Sequence, residues 1–292
     1  MRATIRNDLL TVTADTCGAE LQSIESEEGI RYLWNGDPAY WSGRSPILFP
    51  IVGALRGDRA ESQAGEIRLP KHGLARRAEW TLESGEADAV TFRLTSDATT
   101  REGYPYDFVL RVHYALSGMT LTAAFTVQNT GTQAMPYCIG GHPAFRVPLV
   151  DGENFDDYAV EFDLPETADC PQIEMKTGLL RDTARDRLLS GKRSFALSHV
   201  LFRGDALVFD RLQSRGVRLF SGVSGHGVRM EFDGFDFFGV WSQMGDAPFV
   251  CLEPWTGTGT CVSEDDVFEH KQGMRLLSPG ETAAHAYAVT MF

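Results

Sequence analysis

The sequence predicts an all-β protein built as a large antiparallel β-sandwich, and three observations carry that expectation. Short runs alternate apolar and polar residues along most of the chain, turn pairs punctuate them, and helical periodicity is scarce.

In chain order, Leu9–Thr13, Glu66–Leu69, Ala78–Leu82 and Val90–Leu94 each place apolar side chains at every second residue, as a half-buried strand requires. Phe108–Leu116 and Thr120–Gln128 extend the pattern over longer runs, and the second ends in the turn residues Asn129-Thr130-Gly131. Ala159–Phe162, Ser194–Leu197, Ala206–Asp210, Val217–Phe220 and Val228–Phe232 continue the series. Phe237–Trp241 and Phe249–Leu252 are apolar runs, and Arg275–Leu277 and Ala284–Met291 close the chain. Asn35-Gly36, Ser117-Gly118, Asp233-Gly234 and Pro279-Gly280 mark turns between antiparallel hairpins. Leu179–Leu189 is the best helical candidate, with leucines at both ends of a charged middle, and reads as one short helix or a surface loop. No linker or fixed-period repeat divides the chain, so residues 1–292 are expected to form a single domain of two large sheets packed face to face.

Composition narrows the function. Of 292 residues, 43% are hydrophobic and 23% charged, as in an ordinary globular protein. A formal charge of −13 repels nucleic acid and anionic lipid, so neither is an expected partner, although a local basic pocket remains compatible with it. Five scattered cysteines without a Cys-x-x-Cys pair, no secretory signal and no membrane-length apolar run point to a reduced, cytoplasmic protein.

Three stretches set ionisable residues beside glycine and proline in apolar surroundings: Leu69–Arg76 with His72, Pro136–Leu149 with His142, and Pro248–Gly259 with Glu253. Gly140 and Gly141 free the backbone before His142 and Pro143 holds it extended, which sets the imidazole at a mouth. Glu253 ends an apolar run where a carboxylate is costly to desolvate without a partner. Each also reads as a structural group, a turn histidine or a capping carboxylate. A histidine acid and a glutamate base can shuttle protons between two oxygens of one molecule, and an aldose offers its anomeric hydroxyl and ring oxygen. Trp241, just before the Glu253 segment, and Trp255, two residues past Glu253, are the candidates to stack on the apolar face of a sugar ring, with Trp241 the first choice. His72, His142 and Glu253 also compose a two-histidine, one-carboxylate metal set, but no tight His-x-His or His-x-x-x-His pair anchors it, so no metal is expected. Nucleophile-elbow, P-loop and zincin motifs are absent, and Thr256–Thr260 reads as a turn rather than a phosphate loop.

At these residues the chain resembles the aldose 1-epimerase (galactose mutarotase) family, most closely its shorter LacX-like bacterial branch. The matching stretches are SPILFPIVG at Ser45–Gly53, LPKHGLAR at Leu69–Arg76, IGGHPAF at Ile139–Phe145, LVFDRLQSRGVRL at Leu207–Leu219, FVCLEPW at Phe249–Trp255 and HKQGMRLLSPGE at His270–Glu281. The resemblance implies a galactose mutarotase-like supersandwich that binds a sugar without a cofactor. It implies that Glu253 takes the anomeric proton, that His142 protonates the ring oxygen, that His72 orients the sugar and, on a looser alignment, that Asp210 binds a hydroxyl. Where the branch often has arginine after the glycine of PIVG, this chain has Ala54, so Arg56 is the first choice of sugar-clamping arginine, with Arg44 and Arg76 as competitors. Thr256 stands where an aromatic residue commonly follows EPW. The expected function is an aldose 1-epimerase acting on a small-molecule sugar as monomer or homodimer. A hexose-6-phosphate mutarotase and a non-catalytic sugar-binding protein on the same fold are the alternatives.

Overall fold

In a computed structural model describing residues 1–292, most of the alternating runs become strands of two facing antiparallel sheets. The larger has nine strands in the spatial order Leu179–Ala196, Tyr158–Glu174, Gly216–Ser221, Gly227–Glu231, Thr282–Met291, Thr120–Asn129, Phe108–Ser117, Ala89–Thr95 and Thr81–Gly85. The second runs Leu207–Phe209, Phe237–Trp241, Phe249–Trp255, Gly140–Gly141 and Ile47–Leu48, with Ala144–Arg146 also pairing to Phe249–Trp255. A smaller sheet, Arg2–Arg6 with Leu10–Asp15 and Leu21–Ser26, forms from the N-terminal region.

The two large sheets bury their facing side chains in one core, as a sandwich requires. Phe162 of the nine-stranded sheet meets Phe209 and Phe238 of the second, with ring centroids 5.2 and 6.3 Å apart. Phe108 meets Phe49 at 5.0 Å. Burying an aromatic ring contributes on the order of 2 kcal/mol, which is why alternation in the sequence was a sound guide to the inward positions.

Two local expectations need correction. Leu179–Leu189 is neither helix nor loop: it begins the strand Leu179–Ala196, which forms a long hairpin with Tyr158–Glu174. Its end leucines are buried, and the charged middle pairs sideways, Arg181 with Glu174 at 2.8 Å, Arg187 with Asp169, and Arg185 with Asp210 at 2.6 Å. Cross-strand ion pairs and repeated register shifts, rather than strict alternation, shape this hairpin, so the period-2 signal is broken there. The helix that does form, Ala98–Gly103, is closed by a capping box between Asp97 and Thr100. The strand expected at Ala78–Leu82 starts later, at Thr81. No helix is long and apolar enough to cross a membrane.

Candidate active site

The central strand of the second sheet, Phe249–Trp255, splits its residues between two environments. Val250 and Leu252 face the main core, while Phe249, Cys251, Glu253 and Trp255 face the other way. Register with Phe237–Trp241 sets Trp241 opposite Cys251, Gly239 opposite Glu253 and Phe237 opposite Trp255. On its other side, Gly140 pairs with Trp255 and Ala144 with Cys251. His142 lies between those two contacts, and Pro143 fixes the intervening turn by accepting a 3.1 Å hydrogen bond from the Leu252 amide. Sheet register therefore brings imidazole and carboxylate together.

Gly140 and Gly141 matter for a different reason than the conformational freedom expected of them, since neither has positive φ. A Cβ on Gly140 would lie 2.7 Å from the Trp255 ring, and one on Gly141 would lie 2.6 Å from the Tyr287 ring. They allow close approach of backbone to aromatic side chains.

His142 Nε2 lies 3.1 Å from Glu253 Oε2, with side chains 8% and 2% exposed. Trp41 stacks on the His142 ring at 5.0 Å, and His72 and Trp241 present their edges at 5.6 and 5.8 Å. His72 is held in the left-handed region at φ 69°. Its amide donates to the Gly53 carbonyl at 2.8 Å, and the Gly53 amide donates to His72 Nδ1 at 3.2 Å. An accepting Nδ1 places the proton of the neutral ring on Nε2. Burial, then the neighbouring His142, Lys71 and Arg76, hold His72 well below the usual histidine range, so it is neutral at physiological pH.

Burial also acts on the central pair. It lowers His142 to about 3 and pushes the Glu253 carboxyl well above the usual range, with Lys71 and Arg76 pulling the latter back. Protonated His142 beside ionised Glu253, the state in which a histidine acid and a glutamate base would act, is thus opposed by desolvation. What burial favours is the neutral form of the pair, with the single proton on the Glu253 carboxyl and the imidazole uncharged.

The surrounding cavity, about 300 Å³, is the size of a small-molecule site. Its wall carries four buried polar atoms without a hydrogen-bond partner in the protein: His142 Nδ1, Glu253 Oε2, Trp255 Nε1 and Thr258 Oγ1. Buried polar atoms are otherwise almost always paired, so this wall leaves several polar groups turned to the cavity.

His142, Glu253, His72 and Trp241 all line this cavity. Arg56 and Asp210 do not. The Arg56 guanidinium is occupied by Asp266 at 2.9 Å and by the carbonyls of Cys261, Val262 and Glu264. Asp210 is clamped by Arg185 through two bonds of 2.6 and 2.9 Å and faces a neighbouring cavity. Arg44 lies in a separate cavity. Arg76 is the arginine at the pocket, half-buried with no ion-pair partner, and Glu253 lies within its field. Lys71 and Asp205, 3.4 Å apart, form another part of the wall. Lys71 and Arg76 lie within the LPKHGLAR stretch already singled out. Asp205, Trp41 and Ile173 carried no comparable local signal.

The ligand atoms of His142, Cys251 and Glu253 lie within 4.8 Å of one another, so these three, rather than the expected set with His72, could hold a metal ion. The chemistry of the donors fits poorly. Burial pushes the Cys251 thiol well above its ordinary range, away from the thiolate a metal needs, and His142 Nδ1 lacks the orienting hydrogen bond common behind metal-bound imidazoles.

Known proteins share this architecture over its full length. The chain is 40% identical over 297 residues to the plasmid LacX protein of Lactococcus lactis subsp. lactis, covering 100% of this chain and 99% of the relative. It superposes on the structure of a galactose mutarotase related enzyme from Lactobacillus acidophilus with TM-score 0.95 and 31% identity, covering 100% of this chain and 97% of the other. A galactose mutarotase-like protein from Lactobacillus casei gives TM-score 0.91 at 26% identity, with both chains fully covered. The aldose 1-epimerase family model matches residues 1–285, and with relatives of this identity along the whole chain the conclusion is direct: this chain belongs to the aldose 1-epimerase family.

Proposed function

We propose that the protein is a mutarotase that interconverts the α and β anomers of a hexose, with Glu253 as general base and His142 as general acid. The observation that carries this reading is the 3.1 Å approach of His142 Nε2 to Glu253 Oε2 at a cavity wall rich in unpartnered polar atoms. The anomeric hydroxyl oxygen and the ring oxygen are both bonded to C1, so a donor and an acceptor this close serve both. Glu253 takes the hydroxyl proton and His142 gives one to the ring oxygen. The bond from C1 to the ring oxygen breaks as the C1 carbonyl forms, and the open aldehyde rotates about C1–C2. The reverse transfers close the other anomer and restore the pair. Binding readies the pair because sugar hydroxyls that hydrogen-bond to the charged forms offset the desolvation that opposes them.

Polarimetry on freshly dissolved α-D-glucose and α-D-galactose tests the activity, and the expected result is faster approach to the equilibrium rotation. Ligand binding without acceleration would instead identify a sugar-binding protein.

The pH profile follows from a pair active with one proton. The rate should fall on the acid side as a second proton is added, and on the alkaline side as the last is lost. Because burial lowers His142 to about 3, the acid limb of kcat/KM is expected well below pH 6.5. An acid limb centred at 6.5, that of a solvated histidine, would contradict the assignment.

A second reading, a hexose-6-phosphate substrate, is favoured by one feature: Arg76 is unpaired at the pocket and Lys71 is half-exposed beside it. Under this reading Arg76→Met should lower kcat/KM for the phosphorylated sugar about tenfold more than for the neutral one, as loss of a charge-assisted hydrogen bond predicts. Equal losses on both substrates leave the neutral hexose as the ligand.

A further inference from the structure

Trp255 lies on the same strand face as Glu253, two residues further on. Its indole occupies a slot between two glycines: a Cβ on Gly239 would lie 2.6 Å from its six-membered ring, and one on Gly140 would lie 2.7 Å from its five-membered ring. The Gly239 Cβ position is also only 3.2 Å from Glu253 Cβ, so the absent side chain leaves room for both residues. The ring is 5% exposed, packs against Val208 and Phe237, and borders the pocket, where its Nε1 has no hydrogen-bond partner. A buried indole N–H ordinarily finds an acceptor. Two buried oxygens on the same wall also lack one, Thr258 Oγ1 and Glu253 Oε2, and of these the carboxylate has the Trp255 side chain as a hydrogen-bonding neighbour that favours its ionised form.

We propose that Trp255 is a positioning residue for the reaction, its indole N–H acting as a fixed donor that stabilises Glu253 in the ionised form that accepts the anomeric proton. The proposal rests on the reading of Glu253 as the base. Other groups also face this carboxylate. Lys71 and Arg76 favour its ionised form, Asp205 opposes it, and Cys251 and His142 are in contact range with their charged forms disfavoured by burial. Lys71 is shared with Asp205 and 52% exposed, so solvent screens it. A neutral donor clamped in a buried slot is not screened and needs no reorganisation when the carboxylate charges.

The test reads the Glu253 carboxylic acid C=O stretch by infrared difference spectroscopy, assigned by its disappearance in Glu253→Gln, across a pH titration. In Trp255→Phe, which keeps a ring in the slot and removes the N–H, the midpoint should move upward by about one pH unit, with kcat down about tenfold and KM nearly unchanged. In the wild type the indole N–H proton resonance of Trp255 should shift with the same midpoint as the carboxyl band, and a resonance that does not titrate overturns the proposal even if Trp255→Phe does not fold. A folded Trp255→Phe with wild-type midpoint and kcat overturns the proposal, whatever its thermal stability. Should the wild type epimerise no aldose, a shifted midpoint would still establish the donor, and the function alone would fail.

Discussion

Glu253→Gln is expected to lower the catalysed mutarotation rate by about 10²- to 10⁴-fold, the usual contribution of a positioned proton-transfer group, while making the protein more stable. Glutamine keeps the shape and polar contacts of the side chain but cannot take a proton. The stability gain follows from linkage. Burial raises the folded-state pKa of Glu253, so between the unfolded carboxyl value and that raised value the folded protein binds more protons than the unfolded chain. Stability from this group is fully present below the unfolded value and is lost as pH rises through the folded one. Glutamine removes the loss, so the difference in Tm between variant and wild type should be small near pH 4.5 and grow toward pH 8, reaching about 2 °C or more. His142 and His72, both lowered by burial, act at the other end: their cost appears as pH falls below the histidine range. Scanning calorimetry of both proteins at several pH values, with polarimetry on the same samples, checks this. An unchanged mutarotation rate would remove Glu253 from the mechanism.

Gly73→Ala is expected to be among the most damaging single-methyl substitutions in the molecule. Gly73 has φ 77°, and a Cβ there would lie 2.2 Å from the Phe49 carbonyl oxygen and 2.9 Å from the Pro50 nitrogen. Both obstacles are backbone and cannot swing aside. The left-handed conformation alone costs a residue with a side chain about 1 kcal/mol, and displacing the buried Phe49 segment brings the expected loss to about 3 kcal/mol or more. A natural control is Gly118, at φ 57° with nothing within 4 Å of a built Cβ, where alanine should cost only the conformational part. Urea denaturation of the two variants should therefore give clearly different losses, and equal losses would refute the packing argument. Because the Gly73 neighbour His72 is locked to Gly53 through both its amide and its ring, surviving Gly73→Ala protein should also show altered sugar binding.

The resemblance in local stretches and the alternation of short apolar runs were enough to place most strands and the family, because both are properties of neighbouring residues. Phe237–Trp241 and Arg275–Leu277 match their expected bounds, and Phe108–Ser117 and Thr120–Asn129 differ from theirs by one residue. Strand Phe249–Trp255 runs three residues beyond its apolar stretch, because Glu253 and Trp255 face the pocket while pairing with Gly239 and Phe237. Local pattern failed at Leu179–Leu189, where the strand is held by ion pairs to Glu174, Asp169 and Asp210 across irregular register. No helical or strand period records such partners.

The sequence by itself determined which residue types were available for proton transfer, and that His72, His142 and Glu253 sat in settings costly for charged side chains. Only the tertiary structure decided which groups meet. His142 reaches Glu253 because two short strands pair with one central strand, and that register is a long-range property. Arg56 stood first among the sugar-clamping candidates, but folding joins it to Asp266, 210 residues away, and leaves Arg76 at the pocket. Protonation, too, was decided by tertiary structure. Desolvation depends on what packs around a group rather than on its sequence neighbours, and it favours the neutral form of the pair over the ion pair expected from residue type.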